Sequence, residues 1–264
     1  MLNVFKTGAR TSNNLICIPP IWPFSCWRLD QVGPLKKAKG GFEYIFVAID
    51  KFTKWIEYKP LVKYSAAKAV EFIQDIMHHF GMPNWVITDL GSPFTVIEFK
   101  SWAQDCGISI DYASVAHPQA NGQVERANGL ILAGLKPRLY EKLEDYGPKW
   151  IEELPKVVWE LRTQVSRATG YSPFFLVYRS EAVLPADLIW TSPRIEQYEE
   201  GEAEHTQRLS TEEVRVNTTL QSAWYLQGLR RHYDRNIHPR TFQVGDLVLR
   251  RIQKSDGWHK LLIP

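Results

Sequence analysis

Tyr44 to Asp50 reads YIFVAID. The run is strand length, and neither set of alternate positions is polar before Asp50. Such a segment is read as a strand buried on both faces, at the middle of a covered sheet. Upstream, Trp27 and Leu29 alternate with Arg28 and Asp30, giving a short strand that Gly33-Pro34 ends. Lys36 to Gly41 is a basic turn. Downstream, Asp50-Lys51 turns the chain and Trp55 to Tyr58 begins a partner strand. The opening is therefore three antiparallel strands.

Working further out, Ser65 is an N-cap for a helix over Ala66 to Phe80. Its expected apolar stripe is Ala66, Ala69/Val70, Ile73 and Met77, and Gly81 with Pro83 stops it. Trp85 to Thr88 is a short buried strand ending on Asp89. Gly91-Ser92-Pro93 breaks the chain before a helix over Ile97 to Cys106, and Ser109 to Ala113 is a fifth strand. Ala116 to Asn128, AHPQANGQVERAN, is a Gly/Pro loop running into a helix with Glu125 in its first turn. Leu130 to Leu135 continues this helix until Pro137, which should kink it. The order βββ-α-β-α-β-α gives an α/β fold, a mixed sheet with helices packed on its faces.

Tyr146-Gly147-Pro148 is a break, and Lys149 to Gln164 carries Trp150, Leu154, Val157/Val158 and Leu161 on one side. Pro155 is expected to divide this stretch, so that the better helix starts there. Thr169 to Tyr178 closes the compact unit. The resulting division is a leader over 1–21, a main domain over 22–180, a linker over 181–202, a helical segment over 203–236 and a β segment over 237–264. Stripes in the helical segment fall on Leu209, Val216, Leu220 and Trp224, then Leu226, Leu229 and Tyr233. Phe242 to Arg251 reads as a strand with little left to pair with, so the β segment is expected to be truncated.

The 264 residues are 44% hydrophobic and 12% aromatic, enough for a sizeable core. No apolar run reaches membrane-spanning length. Net charge is +3, unevenly spread. Residues 194–213 hold seven Glu and two Arg, whereas 230–260 hold eight Lys/Arg and three Asp. The basic block favours a polyanionic partner, with a merely solvated face as the even alternative. Cys17, Cys26 and Cys106 form no C-x-x-C pair, which excludes a disulfide framework or cysteine zinc site as the organising feature.

Asp89 ends a buried strand, where ligands bind in α/β sheets. Asp30 and Asp50 are both strand acids, with Asp75 and Asp111 as competitors, and spacing does not choose among them. Glu125 taken alone is an ordinary first-turn glutamate. Carboxylates without other ligands suit hard cations, and two such ions clamp both oxygens of an in-line phosphoryl displacement. No phosphate loop, nucleophile elbow or H-E-x-x-H motif offers another chemistry.

Four stretches carry a resemblance: WRLDQVGP (Trp27 to Pro34), FVAIDKFTKW (Phe46 to Trp55), VITD with GS and Phe94 after it (Val86 to Phe94), and HPQANGQVERAN (His117 to Asn128). RATGYSPFFLVY (Arg167 to Tyr178), EAVLP (Glu181 to Pro185) and FQVGDLVLR (Phe242 to Arg250) extend it. Together they resemble the integrase of gypsy-type LTR retrotransposons, and 35 residues separate Asp89 from Glu125, as in that family's Asp-Asp-35-Glu signature. The resemblance implies an RNase H-like fold with a five-stranded sheet, followed by a helical linker and the start of a small β-barrel. It implies Asp30, Asp89 and Glu125 as catalytic metal ligands and makes Asp50 a turn residue. Two Mg²⁺ or Mn²⁺ ions, held only with DNA bound, would support trimming of a DNA 3′ end and its transfer into target DNA. DNA contacts are expected from His117, Gln119, Asn121, Asn128 and Lys136, and from Arg230, Arg231, Arg240, Arg250 and Arg251. A homo-oligomer without membrane attachment, acting in the nucleus, is implied as well. The family pattern differs at Leu90 (usually Asn), Pro93 (usually Gln) and Arg179 (usually Gly). An inactive or co-opted nucleic-acid-binding derivative and an RNase H-type nuclease are the alternatives.

Overall fold

The structure is a computed structural model; it describes residues 22–112, 129–135, 149–189 and 211–236, with backbone only for Leu188, Arg230, Tyr233, Asp234 and Asn236. Five strands form one sheet in the order β3-β2-β1-β4-β5: β1 Cys26–Val32, β2 Tyr44–Asp50, β3 Ile56–Leu61, β4 Trp85–Thr88 and β5 Ser109–Tyr112. β1, β2 and β3 are antiparallel neighbours, and β4 and β5 add parallel to β1. The helices are α1 Ala66–Phe80, α2 Ser92–Thr95, α3 Ile97–Asp105, α4 at 129–135, α5 Trp150–Thr163, α6 Pro173–Tyr178, α7 Pro185–Ile189 and α8 Thr211–Asn236.

Alternation along the strands divides the core. Trp27, Leu29, Phe46, Ala48, Leu61 and Val86 face α1, α2 and α3. Val32, Ile45, Val47, Ile49 and Ile56 face α4 and α5, which contribute Ile131, Leu135, Trp150, Leu154, Val157 and Val158. β2 is covered on both sides, as its unbroken apolar run requires. α4 and α5 approach closely: a Cβ added to Gly134 would lie 2.7 Å from Val157 Cγ1.

The structure corrects the helices more than the strands. α1 begins where expected, with Ser65 Oγ accepting from Lys68 N, but its buried face is Ala66, Ala69, Phe72, Ile73 and Ile76. Val70 and Met77 lie at the edge of that face, because Phe72 and Ile76 reach the sheet more directly. Pro155 does not divide α5. The side chains on either side of it, Trp150 and Leu154 before, Val157 and Val158 after, are buried in one core. Their packing outweighs the single amide donor that proline removes. Pro93 occupies the second position of α2, where an amide has no helical acceptor in any case, so it costs no hydrogen bond. In α8 the buried residues are Val214, Thr218 and Ser222, whereas Val216, Leu220 and Trp224 are exposed. Ser222 Oγ donates to Ala168 O at 3.0 Å and Val214 packs on Phe175 and Leu176; small side chains let α8 approach backbone there.

Arg179 caps α6 in the left-handed conformation, φ 59° and ψ 20°. Glycine is the residue that adopts this geometry without strain, which fits the glycine usual at this position in the family the sequence resembles. The expected leader (1–21) and the strand at 242–251 lie outside the described residues, as do 190–210, which hold most of the expected linker and the first eight residues of the expected helical segment.

Candidate active site

β1 and β4 run parallel in a register of constant offset, Cys26 beside Trp85, Trp27 beside Val86 and Arg28 beside Ile87. Carried on for two residues, the same offset sets Asp89 beside Asp30. The paired register itself ends at Arg28 and Ile87; Asp30 lies near the carboxyl end of β1 and Asp89 directly follows β4, its parallel neighbour, so both acids lie at the same end of the sheet.

The sheet face follows from alternation. Asp30 shares its face with Cys26 and Val32, and Val32 lies in the core beneath α4 and α5. Asp89 shares its face with Ile87, which packs on Cys26. Asp30 therefore stands on the face that α4 covers, and Asp89 follows Ile87 of that face by two residues. Each is half-buried. Asp30 Oδ1 accepts from Gln31 N at 2.7 Å and Asp89 Oδ1 from Gly91 N at 2.9 Å. These bonds orient the two carboxylates. The donors are all oxygen, the set that hard divalent ions prefer.

Gly91 does more than break the chain. An added Cβ there would sit 2.7 Å from Asp89 Oδ1, so the bare backbone is what lets the carboxylate fold over the turn. The sequence signal for this is Asp-x-Gly directly after a strand, since such an aspartate closes a turn on its own backbone. Leu90 points away, 53% exposed.

The competing acids lie elsewhere. Asp50 pairs with Trp27 across the sheet, so it points to the opposite face and sits at the other end of β1. It is fully buried and accepts from Phe24 N, Thr53 N and Thr53 Oγ1 at 3.0, 2.7 and 2.7 Å. Burial outweighs those bonds and raises its pKa from 3.8 to about 6. Asp75 pairs with Lys59 Nζ at 2.7 Å, and Asp111 is exposed on the edge strand.

Residues 22–118 match the integrase core domain. Retroviral polyproteins are similar over longer spans. The Pro-Pol polyprotein of simian foamy virus type 3 (strain LK3) is 28% identical over 166 residues, 63% of this chain and 14% of that polyprotein. The Pol polyprotein of radiation murine leukemia virus (strain Kaplan) is 29% identical over 241 residues, 89% of this chain and 39% of that polyprotein. The chain thus spans well under half the length of these relatives. Among solved structures, a chain of the simian T-cell lymphotropic virus intasome in complex with PP2A regulatory subunit B56 gamma superposes with a TM-score of 0.51 at 19% identity. It covers 63% of this chain and 58% of that one. The HTLV-2 integrase catalytic core domain in complex with magnesium gives a TM-score of 0.46 at 20% identity, covering 58% of this chain and 96% of that one. The sheet order 3-2-1-4-5 flanked by helices is the RNase H-like fold of the integrase core.

The remaining expected site residues are not brought into this geometry. Glu125, His117, Gln119, Asn121, Asn128 and Lys136 lie outside the described residues, as do Arg240, Arg250 and Arg251. Arg230 and Arg231 fall on α8, and Arg231 is exposed. Among the described residues no group of three His, Cys, Asp or Glu is placed to hold a metal.

Proposed function

We propose that this chain is the integrase of a gypsy-type LTR retrotransposon, trimming element DNA 3′ ends and joining them to target DNA in the nucleus. What supports the reading is that Asp30 lies near the carboxyl end of β1 and Asp89 directly follows β4, the parallel neighbour of β1. The integrase core match supports it, and the ordered motifs around HPQANGQVERAN support the kind of element.

Asp30 and Asp89 would hold the divalent ions, with Glu125 as the third ligand from four residues before the described start of α4. When bound, Mg²⁺ or Mn²⁺ would lower the pKa of the attacking hydroxyl and neutralise the leaving oxygen. The protein's part is positional. Gly91 and Gln31 amides fix the two carboxylates, and the rigid β1–β4 pair sets their spacing. No side chain needs to form a covalent intermediate. A homo-oligomer would bring two element ends to one target.

The test is joining of a labelled element-end duplex to a plasmid with Mg²⁺ or Mn²⁺. Asp30→Asn, Asp89→Asn and Glu125→Gln should each lower joining at least 100-fold, a loss of about 3 kcal/mol in barrier lowering. Gly91→Ala, which pushes on Asp89 Oδ1, should lower it about 10-fold. Full activity of Asp89→Asn would overturn the assignment. Salt-sensitive DNA binding without any metal-dependent chemistry would favour a co-opted binding protein, and cleavage of RNA–DNA hybrids without joining would favour the nuclease.

A further inference from the structure

The β1–β2 connection lies at the same end of the sheet as the two acids. β2 starts beside the carboxyl end of β1, where Val32 pairs with Ile45. β3 ends there too, since Tyr44 pairs with Leu61. The connections at 33–43 and 62–65 therefore lie at the end of the sheet that bears Asp30, on its β2–β3 side, and between them they carry Lys36, Lys37, Lys39 and Lys63.

The β1–β2 connection is built to present these lysines. Leu35 and Ala38 are buried in the core under α4 and α5, on the sheet face that also bears Asp30. Backbone bonds run from Leu35 N to Glu43 O at 2.7 Å and from Ala38 N to Phe42 O at 2.9 Å. Trp150 Nε1 donates to Lys36 O at 2.7 Å, which ties the turn to α5. With Leu35 and Ala38 held inward, Lys37 and Lys39 are left outward and exposed. The second connection joins them: a Cβ on Gly41 would be 3.8 Å from both Lys37 Cε and Val62 Cγ1, and exposed Lys63 follows Val62. The nearest counter-charge is weak. Lys37 Nζ is 4.0 Å from Glu43 Oε1, and Lys39 and Lys63 have no ion pair among the described residues.

Two exposed ammonium groups on an anchored turn and a third on the neighbouring connection, at the same end of the sheet as carboxylates proposed to act on a phosphodiester, form a basic surface that the phosphates of one strand can follow. We propose that Lys37, Lys39 and Lys63 form a phosphate-backbone track that seats DNA against the Asp30–Asp89 end of the sheet. This rests on DNA being the substrate. The track gives affinity and orientation without sequence choice, because ammonium groups reach phosphates as point charges.

The experiment is equilibrium binding of the full chain to two duplexes of unrelated sequence over a range of KCl, by fluorescence anisotropy, in Ca²⁺ to prevent turnover. Lys37→Ala, Lys39→Ala and Lys63→Ala combined should reduce the slope of log K against log salt by about 3, close to 0.9 for each phosphate no longer neutralised. The weakening should be equal for both sequences, and the melting temperature should hold, since the side chains are exposed. Lys100→Ala, on α3 at the β5 edge, should leave the slope unchanged. An unchanged slope in the triple variant overturns the proposal, as does an equal drop with Lys100→Ala or a weakening confined to one sequence. Wild-type protein that binds neither duplex overturns it together with the integrase reading. A reduced slope in a protein that joins no DNA ends keeps the track and removes that reading.

Discussion

At the scale of single residues, two strand aspartates behave in opposite ways. Asp30 is half-buried at a strand end, whereas Asp50 is sealed in the core with three donors on its carboxylate. Sequence spacing leaves them equivalent because both belong to apolar strands; what separates them is sheet face and end, which only the pairing of Trp27 with Asp50 reveals. The burial of Asp50 has a measurable sign. Its folded pKa is raised to about 6, while the unfolded chain releases the proton near 3.8. Between those values the folded state binds more protons, so its stability falls as pH rises from about 4 to about 6 and levels off above. The full penalty is about 3 kcal/mol, at 1.36 kcal/mol per pKa unit. Urea unfolding of wild type and Asp50→Asn across pH 4 to 7 checks this. The wild type should lose its advantage over the variant as pH rises, and a constant difference would show that Asp50 does not titrate there.

At the scale of elements, existence and order are legible in the sequence and the facing of some helices is not. β2 is readable because both of its faces are apolar, and β4 because its run ends abruptly on Asp89. The span of α1 is readable too, yet its stripe is not, since Val70 and Met77 are as apolar as Phe72 and Ile76. α8 is harder still: its long apolar residues face outward and it packs through Val214, Thr218 and Ser222. Hydrophobic periodicity finds the wettest and driest faces of a helix, but small residues admit the closest approach. The same principle governs α4 against α5, where Gly134 meets Val157. Gly134→Ala should favour the isolated helix by nearly 1 kcal/mol and still destabilise the protein, because the new methyl overlaps Val157 in a filled core. The expected net loss is about 1–2 kcal/mol. Gly134→Ala combined with Val157→Ala should recover part of it, measured as a non-additive double-mutant cycle.

At the scale of the whole molecule, the described parts differ in how they are held. β1 and β2 lie between two filled cores, and tertiary cross-links such as Arg162 on α5, which donates to Ile56 O and stacks on Trp55, tie the helical layer to the sheet. α8 is attached through three small residues and the short α6, and most of its surface is exposed. Thr218 Oγ1 is buried in that interface without a hydrogen-bond partner among the described residues, which weakens it further. The sequence shows this division only as a change of composition after residue 180, because the strength of an interface depends on partners it cannot reveal. Opening of α8 should therefore cost much less than global unfolding. Native-state hydrogen exchange will measure it: amides in the middle of α8 should exchange through a sub-global opening nearly independent of denaturant, while β1 and β2 amides should follow the full unfolding free energy. Replacing Val214 by Ala should speed exchange across α8 about 30-fold or more, corresponding to about 2 kcal/mol for a truncated buried side chain. Protection in β1 should stay unchanged. If α8 and β1 slowed and quickened together, the helix would belong to the same cooperative unit as the sheet, and the compact domain would extend to residue 236.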